Sequence, residues 1–287
     1  MSDALAAELR DLLQAHAAEY LPYYFFYSVA SYLIQYVVPY LSPGAFDALL
    51  AKEDAERMAV KKKSDAEAAS SAVVEPSLEA RRARAAISAR TSAVSSIMAI
   101  HVASLSLYGL LTPSVAGALS GALEAEVPLT RHLCNVAVAF FLWDLSWCWD
   151  DPVYIVHGLA CLAVFAGSLR PFLHHMAMVT LFFEASTPFL HWRALLIQCN
   201  QNHSPWFAVA NNLFAGTFFV SRIAHGLWAC FKWWLQVEGA LASGALAAHR
   251  EPMVRMYQVL CLLLSGLNVY WFFGSIVPSL LRRKRDK

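Results

Sequence analysis

Charge is scarce in this chain. Asp, Glu, Lys and Arg make up 15% of its 287 residues, while 58% are hydrophobic and the mean hydropathy is +0.45. Soluble domains carry about 25% charged residues, so the composition excludes an ordinary soluble domain and indicates a polytopic membrane protein. The six cysteines are scattered. Cys134, Cys148, Cys161, Cys230 and Cys261 fall in apolar stretches without paired spacing, which argues against a disulfide framework and against a zinc site. A cleavable signal peptide is also missing, because the first 19 residues carry Asp3, Glu8, Asp11 and Glu19 and no apolar core. Targeting is therefore expected to come from the first apolar stretch. There is no GxSxG, HExxH, P-loop or dinucleotide fingerprint and no internal repeat. No metal or cofactor is expected, and a net charge of +1 gives no reason to expect nucleic acid.

What is present is a series of long apolar runs. Judged against the ~20 residues a bilayer requires, they lie at 20–41, 93–113, 132–150, 153–169, 172–190, 205–231 and 256–281. The fold expected is all-α, a transmembrane helix bundle of seven spans. Nine of the 22 Lys and Arg lie between the first two runs, from Lys52 to Arg90, and five more lie in the tail from Arg282 to Lys287. The positive-inside rule puts both blocks in the cytosol, which requires an even number of crossings between them, and six are counted. The chain divides into 1–42 with the first span, a charged cytosolic insert at 43–92, a membrane domain at 93–281 and a basic tail at 282–287. Tyr20, Tyr23 and Tyr24, with Trp228, Trp233 and Trp234, fit interfacial aromatic belts. Gly117 and Gly121 form a GxxxG in an Ala-rich region, which favours ordinary close helix contact over a dimer motif and leaves a homo-oligomer open.

Glu184 stands out because every other position from Pro171 to Leu190 is uncharged. An acidic residue inside hydrocarbon usually faces a protein interior or a water-filled cavity. At ~1.5 Å rise per residue, Asp144 and Glu184 lie about 9 Å inside the cytosolic boundary and His157 about 6 Å, so three successive helices bring ionisable groups to one level. Thr180, Glu184, Thr187 and His191 follow i, i+4, i+7, i+11 and form one polar stripe. By the same spacing Asn211, Arg222 and His225 share a face, and Asn268 lies near mid-depth of the last span. Arg222 is expected about 10 Å nearer the lumen than Glu184, so a direct ion pair between them requires tilt. Each residue alone has a bland explanation, from a hydrated Asp144 to an Asn268 that only joins helices. Together they indicate an intramembrane polar pocket of Asp144, His157, Glu184, Thr187, Arg222 and Asn268. The adjacent His174 and His175 sit at the lumenal start of a span and are set aside.

In order, Asp144, His157, EASTPFLHWR from Glu184 to Arg193, FFVSRIA around Arg222 and NVYW from Asn268 to Trp271 resemble the TLC-domain family of multipass membrane proteins. The resemblance covers roughly 93–281 and is nearest to the small TLC-domain-containing proteins, with ceramide synthases more distant. It implies a six-helix core enclosing a lipid-accessible cavity, preceded here by one extra span, in the endoplasmic reticulum. In ceramide synthases two adjacent histidines carry acyl transfer from acyl-CoA to a sphingoid base. Here His157 matches the first, but the second position is Gly158. The expectation is a protein of lipid homeostasis that binds or handles a membrane lipid and is non-enzymatic or at most weakly enzymatic. The alternative is an acyl-CoA-dependent N-acyltransferase using His157, Glu184 and Asp144, with acyl-CoA as co-substrate. A second alternative is a non-catalytic assembly or cargo partner. The tail RRKRDK, resembling a dibasic retrieval signal, also points to the reticulum.

Overall fold

The computed structural model describes residues 3–37, 78–119, 123–147, 152–198, 201–246 and 250–285. Most of the charged insert, the last two residues of the tail, Gly121 and Cys148 lie outside the described residues. Within them every regular element is helical: α1 (Asp3–Ala15), α2 (Ala17–Tyr32), α3 (Leu78–Leu111), α4 (Pro113–Leu119), α5 (Pro128–Leu145), α6 (Pro152–Gly167), α7 (His174–Phe182), α8 (Thr187–Gln198), α9 (Pro205–Phe218), α10 (Gly226–Ala242), α11 (Glu251–Trp271) and α12 (Val277–Arg285). Prolines at the first or second position of α5, α9 and α11 start those helices, where the missing N–H costs nothing.

Six of these helices are joined in pairs by continuous helical backbone. A 3₁₀ turn at Phe183–Ser186 links α7 to α8, and wide π turns at Phe219–His225 and Phe272–Ile276 link α9 to α10 and α11 to α12. A third π turn, Leu33–Val37, extends α2. By length and composition three helices can cross a membrane: Ala89–Leu111, Pro205–Ala242 and Glu251–Leu281. Pro152–Gly167 is apolar but shorter. Of the remaining expected spans, 132–150 and 172–190 carry Arg131, Asp144, Glu184 and Arg193 within or beside their helices, which lowers their hydropathy, and 20–41 runs past the described residues.

α5 is the central element, buried along Leu133–Phe141 and at Trp143 and packed by α2, α3 and α6. The outer surface is apolar, with Phe25, Tyr108, Leu111, Trp228, Leu262 and Phe273 exposed. An apolar exterior over a packed interior is what a lipid-facing bundle requires. Not every expected belt residue lies outside: Tyr20 and Trp233 are buried in the core. The amino-terminal segment also belongs to the bundle. Leu5, Leu9 and Leu12, spaced i, i+4, i+7, bury one face of α1, which packs on α6, and Arg170 pairs with Glu8 at 2.9 Å.

Candidate functional site

The site begins with Pro188. Proline has no N–H to return to the carbonyl of Glu184, and its ring crowds that carbonyl, so an α-helix cannot run through this point undisturbed. The chain tightens into the 3₁₀ turn, and the Thr187 N–H bonds the Glu184 carbonyl instead. Ser186 donates to the Phe183 carbonyl at 3.3 Å. The Thr187 hydroxyl donates to Glu184 Oε2 at 2.6 Å, and Arg222 Nη2 stands 3.5 Å from Glu184 Oε1.

Arg222 lies on the π turn between α9 and α10. Its Nε donates to the Phe183 carbonyl at 3.0 Å and its Nη1 to Asn268 Oδ1 at 3.3 Å. The Phe218 ring lies 5.1 Å from the guanidinium. The ion pair is therefore direct, which corrects the expected 10 Å offset. Placing the end of the fifth span at 190 caused that error. The helix continues to Gln198, so Glu184 is 198 − 184 = 14 residues from its end and Arg222 is 222 − 205 = 17 residues from the next start. At ~1.5 Å per residue the two differ in depth by about 4–5 Å.

Asp144 on α5, His157 on α6, Glu184, Thr187 and Arg222 all line one cavity of about 510 Å³. Its apolar walls include Phe140, Phe214, Phe218 and Trp271. His157 stands edge-on to Phe141 and Trp271, at 6.2 and 5.9 Å between ring centres, and its Nε2 is 3.7 Å from Cys161 Sγ. Beneath lies a smaller void of about 30 Å³, also lined by His157, Glu184 and Arg222 and closed by Met98, Leu264 and Asn268. Asn268 thus faces that void and holds Arg222 without lining the large cavity. The polar stripe of the fifth span does face this interior, with Thr180 on the small void and His191 on the large cavity.

Two departures from the sequence reading matter, and the His174 set aside there has a structural role. His225 does not share the face of Asn211 and Arg222; it lines a separate cavity of about 350 Å³ with His175, Phe182 and Leu107. The π turn carries more residues per turn than an α-helix, so the i, i+3 relation between Arg222 and His225 fails. His174 is a structural residue: its Nδ1 accepts the Val127 N–H at 2.9 Å and its Nε2 donates to the Arg170 carbonyl at 2.9 Å. The large cavity also includes Arg193, Ser275 and Ser279, which sequence reasoning did not place there. Arg193 lay beyond the assumed helix end, although the run ALLIQ after it, with helix-forming residues and no breaker, could have signalled continuation.

Gly158 is buried on α6 and a Cβ there would come within 2.9 Å of Leu145 Cδ2. A second histidine has no room at this position unless Leu145 moves. Among the described residues no three His, Cys, Asp or Glu side chains converge as metal ligands.

A helical bundle with an apolar exterior and charged groups gathered around an internal cavity defines a membrane protein. The TLC domain matches residues 88–276, about two thirds of the chain, and the protein belongs to the TLC-domain family. The matched region contains all six residues of the expected polar pocket. No curated protein and no solved structure matches the chain.

Proposed function

We propose that this protein holds a membrane lipid in the cavity between α5, α6, α8 and α9, with the apolar walls receiving hydrocarbon and the level of Asp144, His157, Glu184 and Arg222 meeting a polar headgroup. One observation carries the reading: a space of about 510 Å³ that combines a mostly apolar lining with a few convergent polar groups. That combination is the usual character of a small-molecule site. The protein is read as a seven-span resident of the endoplasmic reticulum, with the cavity level nearer the cytosolic face. A tag on the basic tail that is accessible only from the lumen would refute this orientation.

The experiment is lipid mass spectrometry of the purified protein. The wild type is expected to carry a stoichiometric lipid, and Glu184→Leu to lose it. Protein free of lipid in both forms would refute the reading. The acyltransferase alternative draws on one observation, that His157 shares the cavity with Glu184 and lies 3.7 Å from the Cys161 sulfur. There imidazole would take the amine proton as nitrogen attacks the thioester carbonyl and the CoA thiolate leaves. With Gly158 at the next position there is no second histidine to assist. Membranes given labelled acyl-CoA and a sphingoid base are expected to yield no product above background; product abolished by His157→Ala would establish the enzyme instead.

A further inference from the structure

The cavity contains two arginines in unlike surroundings. Arg222 faces a carboxylate 3.5 Å away. Among the described residues Arg193, on α8, meets neutral partners: Nε donates to Asn211 Oδ1 at 2.7 Å, Nη2 to Ser279 Oγ at 3.5 Å, and the guanidinium lies 5.6 Å from the Phe207 ring centre. No Asp or Glu among the described residues is within ion-pair distance of it; Asp144 lines the same cavity but is not its partner. Asn211 and Ser279 accept hydrogen bonds without cancelling charge. Of the five N–H donors an arginine carries, two are used among the described residues.

A half-buried cation beside apolar walls is costly unless an anion completes it. The guanidinium is also pre-aimed, since Asn211 on α9, Ser279 on α12 and the Phe207 ring fix its plane from three sides. The planar fork matches phosphate oxygens better than any other side chain does, and His191, Ser275 and Ser279 add polar groups on the adjoining wall. Arg193 lies 193 − 184 = 9 residues beyond Glu184 towards the end of α8. That is about 13 Å along the helix, away from the buried pair and towards the interface where lipid phosphates reside. We propose that the ligand of this cavity is an anionic lipid whose phosphate is bound by Arg193. The proposal rests on the lipid-binding reading above and refines it: the phosphate sits at Arg193, the level of Glu184 and Arg222 meets the glycerol and ester oxygens that follow it, and a cationic sphingoid amine would be repelled at Arg193.

Binding of fluorescent dioleoyl phosphatidic acid, matched dioleoylglycerol and coenzyme A to the full chain in nanodiscs of neutral lipid tests this. Phosphatidic acid is expected to bind about tenfold or more tightly than dioleoylglycerol, and Arg193→Gln to remove that gap while leaving dioleoylglycerol binding as the internal control of folding. Arg193→Lys keeps charge but loses the fork, so it is expected to narrow the gap without abolishing it; if the Gln variant fails to fold, an unchanged gap in the Lys variant counts against the proposal. Equal binding of the two lipids by wild type, or a gap intact in Arg193→Gln, overturns the phosphate assignment and leaves lipid binding standing. Coenzyme A bound as tightly as phosphatidic acid and equally dependent on Arg193 would transfer the phosphate to a soluble co-substrate and overturn it too. Binding of neither lipid removes the underlying reading as well.

Discussion

Glu184 and Arg222 have side chains only 15% and 10% exposed, so neither charge can be left alone cheaply. Removing one partner of a buried pair typically costs about 3–5 kcal/mol because the other remains uncompensated. Arg222→Met is therefore expected to lower the thermal midpoint of the purified protein sharply. Adding Glu184→Gln should restore most of the loss, since an amide oxygen still accepts from Thr187. A single variant as stable as wild type, or a double variant worse than the single, would show that the pair is not coupled in this way. At this scale the sequence was informative where charge interrupts hydrocarbon: Glu184, Asp144 and Arg222 each announce themselves. Gly158 illustrates the limit, because nothing in its neighbours reveals that Leu145, thirteen residues earlier, presses on it.

The elements around the site owe their function to irregular turns. Pro188 fixes the 3₁₀ turn that aims Glu184 at Arg222, and Gly226 lets α10 start against Phe183, whose ring lies 2.7 Å from where a Cβ would sit. Pro188→Ala would allow the 188 N–H to bond the Glu184 carbonyl and the turn to relax to α. The expected result is stability equal to or above that of wild type with weakened retention of lipid, measured by thermal unfolding and by lipid mass spectrometry on the same sample. Unaltered lipid content would mean that the tight turn does not aim the carboxylate. Proline made this break legible in advance. The π turns were not, since no residue type marks them, and they moved His225 off the expected face. The end of α8 is misplaced by sequence for a different reason: polar and charged residues at His191–Arg193 look like the boundary of a span, although the helix goes on past them.

At the scale of the whole molecule, the end of the bundle opposite the site is tied by Glu19. Arg131 bonds both carboxylate oxygens, at 2.6 and 3.1 Å, and His16 and Asn135 add contacts at 2.9 and 3.0 Å. Arg131 first, then His16, holds this carboxyl down at about 2 against an ordinary 4.5. A carboxyl depressed in the folded state contributes stability that is complete above about 4.5 and is lost as pH falls towards about 2. Its side chain is 38% exposed, so solvent screening keeps the effect modest. Unfolding midpoints measured across that window should fall with acid in the wild type and fall less steeply in Glu19→Gln; parallel slopes would refute the assignment. Helical class and apolar runs were plain from composition, whereas the docking of α1 was not, because an amphipathic helix lacks the continuous apolar core sought in a leader. The wide turns carry one further consequence. Each holds one residue more than the α-helix it interrupts, and one residue turns a helix by about 100°. Relatives without that residue must be aligned with a single-position gap at each place, or every inward-facing group downstream will be matched to a neighbour that looks out at the bilayer.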